Sequence, residues 1–435
     1  MKDFPRISNK DGMITVCRMV RETAYDDLPH DVTDFAKMHI LDQMGCIIGG
    51  SSQLGIPEVV NFVKDKGGKE ESLIPFYRGK VPASETAFAI GPMARALDMG
   101  DVSEEASHTA EHTLPAILAA TGLNNKNSGR DFITAFVVGQ EVMIRIGMGF
   151  NYDAPERVNN EGGHFIFGPT AGVGKLLDLN FEELQNAMGI ANAMTQHWEM
   201  QMYAEGALSV RLHHGFVCQD AVNACLLAKR GLTGPHNILF GERGYYALHC
   251  RWTTYPDRVT EGLGKKWVVK NTMLKPYALC KCTHSAIEAL VDLMQEFRFD
   301  AEDIDKIHID ESPRNWKVVC EPPEKKYNPQ SIPECQFSLI YTIATAAYDK
   351  NVFIDSYSEK ARKRENVREL MTRITMEKDS KIPMHGARVK VSLKDGRELS
   401  KETIIVEGHP KEPFTWEDTI TKFKKNALLF SLPSN

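Results

Sequence analysis

Between residues 31 and 230, apolar side chains recur at helical spacing in one segment after another. No other feature constrains the fold as strongly. Asp31 and Thr33 open the first segment, which carries Phe35, Met38, Ile40, Leu41, Met44 and Ile47 to a Gly49–Gly50 stop, the pattern of a capped helix. Pro57–Lys66 repeats the plan and halts at Gly67–Gly68. Ser84–Leu97, Leu114–Ala120, Arg130–Gly147, Pro169–Leu177, Phe181–Thr195 and Gly215–Arg230 read as further helices. Their Ala and Gly content predicts close helix–helix packing.

The texture then changes. Lys265–Met273 and Ile304–Asp310 alternate as strands do, while Thr283–Phe299, Phe337–Asp349 and Glu359–Met371 keep a helical period. Ala387–Leu393 and Glu398–Glu407 flank Lys394-Asp395-Gly396, a strong hairpin signal. Thr415–Leu429, capped by Thr415 with Asp418 three residues on, is again an amphipathic helix and is expected to pack back on the helical part. The expected fold is mainly α with an α+β part. A large helical domain spans 1–262 and 409–435, and a smaller α+β lid domain, 263–408, is inserted before the C-terminal helix. A chain of 435 residues also exceeds what one core usually serves.

With 42% hydrophobic and 25% charged residues, the chain is neither collagen-like nor mostly disordered. Its formal charge of −6 gives no global reason to bind nucleic acid or an anionic membrane. Nine scattered cysteines do not read as a disulfide framework. The polar stretch Met1–Lys10 does not resemble a signal peptide, and an apolar run such as Phe132–Val138 is too short to span a bilayer. A cytoplasmic protein is the expectation.

Familiar catalytic motifs are missing. Gly168 to Lys175 looks like a phosphate loop, but the glycine spacing is one residue too long and Leu176 replaces the magnesium-binding hydroxyl. There is no GxSxG elbow and no HExxH. Cys280-Lys281-Cys282 has no second pair at zinc spacing. His108 and His112 lie four apart with Asp98 and Asp101 upstream, a spacing that puts two imidazoles on one helix face as metal ligands need. Residues 100–107 read as a loop, which weakens that set.

Five segments place polar residues where a core would not want them. They are Asp98…Asp101…His108, Asn159 to His164, Val210-Arg211-Leu212-His213-His214, Lys275…Cys280…His284, and Phe337-Ser338…Tyr341. Each has a plain structural explanation: a helix cap for Asp98 or Asp101, a turn histidine, a solvated Arg or Lys, a core tyrosine. Their order, joined by Leu41-Asp42-Gln43-Met44-Gly45, Leu114-Pro115, Gly139-Gln140-Glu141-Val142 and Gly231-Leu232-Thr233-Gly234-Pro235, resembles the MmgE/PrpD family over nearly the whole chain. That family includes 2-methylcitrate dehydratase, cis-aconitate decarboxylase and iminodisuccinate epimerase.

The resemblance implies a homodimer with a cofactor-free site between its two domains and a small carboxylic acid as substrate. It carries over Asp98, His108, His164, Lys275 and Tyr341 as catalytic positions, with Arg211, His214 and Asp101 assigned to substrate binding. Two positions depart from decarboxylase-like members. Val102 stands where they have threonine, and Val210 where they have lysine, which speaks against cis-aconitate and 2-methylcitrate unless Arg211 compensates.

Proton abstraction α to a carboxylate concentrates negative charge, so a metal-free site needs cations and hydrogen-bond donors around it. Lys275, His108 and Arg211 suit that role. His164 is the expected base, Tyr341 or His108 the acid, and Asp98 an orienting group. Three functions compete. The first is a cofactor-independent lyase or isomerase, with lyase ahead of epimerase. The second is a metal-dependent hydratase using Asp98, Asp101, His108 and His112. The third is a catalytically silent acid-binding protein.

Overall fold

The structure is a computed structural model and describes residues 12–150, 163–195, 201–250 and 254–430. Residues Asn159 to Gly162, which precede His164 in the second segment, lie outside the described residues. The fold is mainly α, with a smaller part built on a mixed sheet. No described helix is long and apolar enough to cross a membrane.

The helices that frame the site are α1 (His30–Gly50), α2 (Ala83–Arg95), α3 (Ala110–Ala120), α4 (Gly129–Met148), α5 (Phe167–Leu176) and α6 (Ser209–Lys229). The region read as a failed phosphate loop is α5, a buried helix. The helix α1 starts after Pro29, so Asp31 and Thr33 sit inside its first turn; Thr33 bonds back to the His30 carbonyl and Asp31 pairs with Lys270. Gly49 and Gly50 do not stop α1. They belong to it, and Gly50 lets it approach the Met93 carbonyl of α2. A similar device seats α6 on α2. A Cβ on Gly91 would lie 2.6 Å from the Gly215 nitrogen, and one on Gly215 2.6 Å from the Phe88 carbonyl oxygen.

Strands β1 (Asp101–Ser103) and β2 (Thr272–Leu274) pair antiparallel, Asp101 opposite Leu274. Only the end of the strand expected over 265–273 forms. The backbone N–H groups of Val268 and Val269 donate to the Glu141 carboxylate, at 2.8 and 3.1 Å, and not to a neighbouring strand. Glu141 thus does structural work.

Four further strands form one mixed sheet: β3 (Ile304–Glu311), β4 (Ile374–Lys378), β5 (Ala387–Leu393) and β6 (Glu398–Thr403), in the order β4-β3-β5-β6. The expected hairpin around Asp395-Gly396 is β5–β6. The strand β4, parallel to β3, had no counterpart in the sequence reading. Residues of β5 alternate between buried and more exposed, and its inner face packs on α7 (His284–Phe297). The segment read as one helix over 359–371 is two short ones, Glu359–Arg362 and Glu365–Met371.

The last helix, α8 (Trp416–Ala427), returns to α1, capped by Thr415 and Asp418. Lys422 reaches Asp42 at 2.7 Å in a buried pair. Burial pushes the Asp42 carboxyl up to about 6 although the ammonium pulls it down.

The α2–α6 crossing generates a prediction. Gly91→Ala forces backbone against backbone and should cost about 2 kcal/mol by overpacking, read from urea unfolding. A loss below about 0.5 kcal/mol would show that the crossing is not tight.

Candidate active site

The site forms where the end of α2, the start of α3 and the end of β2 converge. Asp98 follows α2 at φ +49°, a left-handed conformation that Asp tolerates through local hydrogen bonding. Its Oδ1 meets Arg95 Nη1 and lies 2.6 Å from Lys275 Nζ. The Lys275 ammonium also donates to the carbonyls of Asp98 at 2.5 Å and Leu279 at 3.2 Å. All three of its protons are thereby used. Burial alone would raise the Asp98 carboxyl, but Arg95 and Lys275 outweigh it and hold it below its ordinary value. Lys275, expected to stabilise substrate charge directly, is instead locked with Asp98 and Arg95 in a closed ion network.

Asp101 is also committed elsewhere. Its carboxylate accepts from Thr109 N at 2.8 Å, Thr109 Oγ1 at 2.6 Å, Ala110 N at 3.0 Å and Glu111 N at 3.3 Å. It caps α3 and is fully buried, so substrate binding by Asp101 is replaced by helix capping. The set Asp98, Asp101, His108 and His112 does not come together as metal ligands either, because both carboxylates are spent on the protein.

The histidines do come together. His108 lies with Nδ1 2.8 Å from the Asp101 carbonyl, which can only accept, so Nδ1 carries the proton and Nε2 is basic. His112 is fixed likewise, Nδ1 to the His108 carbonyl at 2.6 Å. The His214 ring, from α6, stacks on His112 with centroids 4.0 Å apart, and His213 meets His112 edge-on at 6.0 Å. His164 sits in the turn Gly163–Ile166 with Nε2 3.4 Å from the Ala106 carbonyl. Phe165 lies between, 4.6 Å from both the His164 and the His112 ring centroids.

Burial, then the nearby Arg95 and Lys275 charges, holds His108 well below its ordinary value. His214 is lowered by burial, then by His112 and Arg95. His108 is therefore neutral at pH 7 and cannot serve as the expected cationic donor. The fixed positive charges are Arg95, Lys275 and Arg211. Arg211 donates from Nη1 to the Leu54 carbonyl, and its Nη2 has no hydrogen-bond partner among the described residues. Burial and Arg95 lower it to about 10, so it stays charged. Val210, in the first turn of α6, and Val102, in β1 opposite Met273, are both buried.

Tyr341 is not part of this group. Its hydroxyl donates to the Ser356 carbonyl at 2.6 Å, and its ring lies near Tyr357. The tyrosine at the site is Tyr203, hydrogen-bonded to Arg95 and within electrostatic reach of Asp98 and Cys280. Burial raises its phenol well above the ordinary value.

Sequence reasoning also missed Arg95 and Glu111. Arg95 ends a helix otherwise read as apolar. Glu111 stands three residues after His108, the one signal for it in the sequence. Its Oε2 lies 3.1 Å from His214 Nε2, 3.5 Å from His108 Nδ1 and 3.7 Å from Arg95 Nε. Burial pushes its carboxyl up to about 8, against the pull of Arg95 and Lys275. With His214 held neutral as well, the contact is between a carboxylic acid and a neutral imidazole rather than a salt bridge.

Comparison with known families places this geometry. The MmgE/PrpD N-terminal domain matches residues 15–256, and the MmgE/PrpD C-terminal domain matches 277–431. The chain belongs to the MmgE/PrpD family. Among MmgE/PrpD relatives, cis-aconitate decarboxylase of Aspergillus terreus is 26% identical over 442 residues, covering 95% of this chain and 88% of that protein. Cis-aconitate decarboxylase of Mus musculus is 24% identical over 434 residues, covering 94% and 85%.

Glu111 generates a prediction about pH. The folded chain keeps a proton on Glu111 up to about 8, while the unfolded chain releases it near the ordinary glutamate value of 4.5. The folded state thus binds more protons between these values, and stability falls as pH rises, by at most about 1.4 kcal/mol per unit. Glu111→Gln cannot ionise. Its melting temperature should gain on the wild type steadily from pH 5 to pH 8, by differential scanning calorimetry. Parallel curves over that range would contradict the assignment.

Proposed function

We propose that the chain is a cofactor-independent lyase, a decarboxylase or dehydratase, acting on a tricarboxylate-like acid at this site. One observation carries the reading. Neutral imidazoles with basic nitrogens sit beside fixed guanidinium and ammonium charges, in a chain that aligns along its length with cis-aconitate decarboxylases. The resemblance further suggests a homodimer, with the α+β part acting as a lid over the helical part.

The roles follow from the tautomers. His164 donates through Nε2 to Ala106 and presents Nδ1 as the basic nitrogen, and His108 presents Nε2. Tyr203 and Glu111 are the neutral acids at hand. Arg211 offers Nη2 to a substrate carboxylate and so takes over the anchoring that Val210 cannot give. Arg95 and Lys275 do not touch the substrate. Their charges lie beneath the imidazoles and stabilise the developing anion.

In a decarboxylation, the bond to one carboxylate breaks and carbon dioxide leaves. The electron pair spreads into the remaining conjugated carboxylate, and an acid returns a proton to carbon. In a dehydration, a base takes the α-proton and an acid protonates the departing β-hydroxyl, which leaves as water.

The test is a panel of unsaturated and hydroxy di- and tricarboxylates, cis-aconitate included, incubated with the protein in heavy water and followed by NMR. The expected result is loss of water from at least one acid, or loss of carbon dioxide with deuterium on the carbon that takes up the proton. Tyr203→Phe should lower kcat about 100-fold and Tyr341→Phe by less than about threefold. No turnover and no exchange with any acid would sink the reading.

A further inference from the structure

Four lysines are buried among the described residues: Lys275, Lys281, Lys326 and Lys422. Three of them have acceptors for their protons. Lys275 donates to Asp98 and two carbonyls, Lys326 to the Val318 and Phe337 carbonyls at 3.0 and 2.7 Å, and Lys422 to Asp42. Lys281 has no hydrogen bond and no ion pair among the described residues. An ammonium taken out of water without an acceptor is costly, so its place favours an anion. We propose that Lys281, His385 and Glu311 form a second anion site, outside the group of imidazoles, that binds one carboxylate of a small organic acid.

Packing builds the surroundings of Lys281. It opens the turn Lys281–Thr283, which packs on the helix Pro313–Val319. In that helix Arg314 has Nη1 3.8 Å from the Met384 sulfur, next to His385. His385 is buried at φ +66°, and its carbonyl accepts from Ser285 Oγ. Its Nδ1 has no hydrogen-bond partner among the described residues. Lys281, Arg314 and His409 all lie within electrostatic reach of this ring. Glu311 ends β3 and is buried. Its Oε1 accepts from Ser312 N and Asn315 Nδ2, both at 2.8 Å, while its Oε2 has no partner among the described residues.

The two companions of Lys281 are neutral donors. Burial, with Lys281 and Arg314 nearby, holds His385 well below its ordinary value, so the ring keeps one N–H to give. Burial pushes Glu311 up to about 8, against its bonds to Asn315 and Ser312, so at pH 7 it is an acid with an O–H to give. Negative charge near Lys281 is already met or reduced. Glu104 pairs with His409 at 3.4 Å. Glu288 is raised to about 7 by burial and accepts from Glu407 N at 2.9 Å. What remains at Lys281 is an ammonium flanked by neutral donors, which matches the single charge of a carboxylate. A phosphate dianion would bring a second negative charge toward Glu104.

The site stands apart from the lyase reading, and its test reads binding at His385 rather than turnover. The ring Cε1–H resonance of His385, assigned by its loss in His385→Gln, is followed by NMR on the full-length protein. The titrants are malonate, inorganic phosphate and sodium chloride at matched ionic strength. The expected result is a saturable shift with malonate, a weaker response to phosphate and none to chloride. Loss of a charge-assisted hydrogen bond should weaken malonate at least about 10-fold in Lys281→Met, while Arg211→Met leaves the shift in place. Lys281→Met deletes a buried charge that no acceptor holds, so it should fold, and its melting temperature is recorded alongside. The proposal is overturned if malonate does not move the His385 signal, if chloride moves it as far, or if phosphate binds more tightly. It is equally overturned if Lys281→Met binds malonate as well as the unaltered protein, or if Arg211→Met abolishes the shift. If Lys281→Met does not fold, the comparison of malonate with chloride in the unaltered protein decides.

Discussion

The rest of the structure hangs on a buried group of three charges, Arg95, Asp98 and Lys275. It ties the end of α2 to the end of β2, 177 residues further along the chain, and so joins the helical part to the segment that leads into the α+β part. The β1–β2 pairing and the bond from Lys275 N to the Gly100 carbonyl hold the same seam. Removing one member would leave an uncompensated charge, at a cost of about 3–5 kcal/mol. This closed network also fixes what the site above it can do. Lys275 contributes field but has no proton left to offer, so proton transfer falls to the imidazoles, Tyr203 and Glu111.

Those imidazoles are neutral because they are buried beside positive charge. A polycarboxylate entering the site would reverse the balance. Each carboxylate favours the protonated form of a nearby histidine, while Arg211 meets one carboxylate directly. Substrate charge thus calls protons into the site at the place where an acid is needed.

Much of this was legible in the sequence, and the misses have physical causes. Helical periodicity located α1 to α6, and Asp-Gly located the β5–β6 hairpin, because both depend on local spacing. The strand expected over 265–273 shrank to three residues because Glu141, far away in sequence, claims its backbone donors. The parallel strand β4 had no turn chemistry to announce it. Motif order singled out His108, His164 and His214, which the structure brings close to one another. Motif order also singled out Lys275, but nothing local shows that Asp98 and two carbonyls use its protons. Asp101 was taken for a ligand and is a cap. Tyr341 was singled out and Tyr203 was not, because which hydroxyl reaches Arg95 depends on how a short helix, Gln201–Glu205, docks.

Neutral imidazoles over a closed ion network must gain protons when a polyanion binds. The direct measurement is calorimetry of propane-1,2,3-tricarboxylate binding at pH 7.5 in buffers of different ionisation enthalpy. The account predicts saturable binding with net uptake of roughly one proton per ligand, much reduced in His108→Gln. Binding with no proton uptake, or with release, would contradict it.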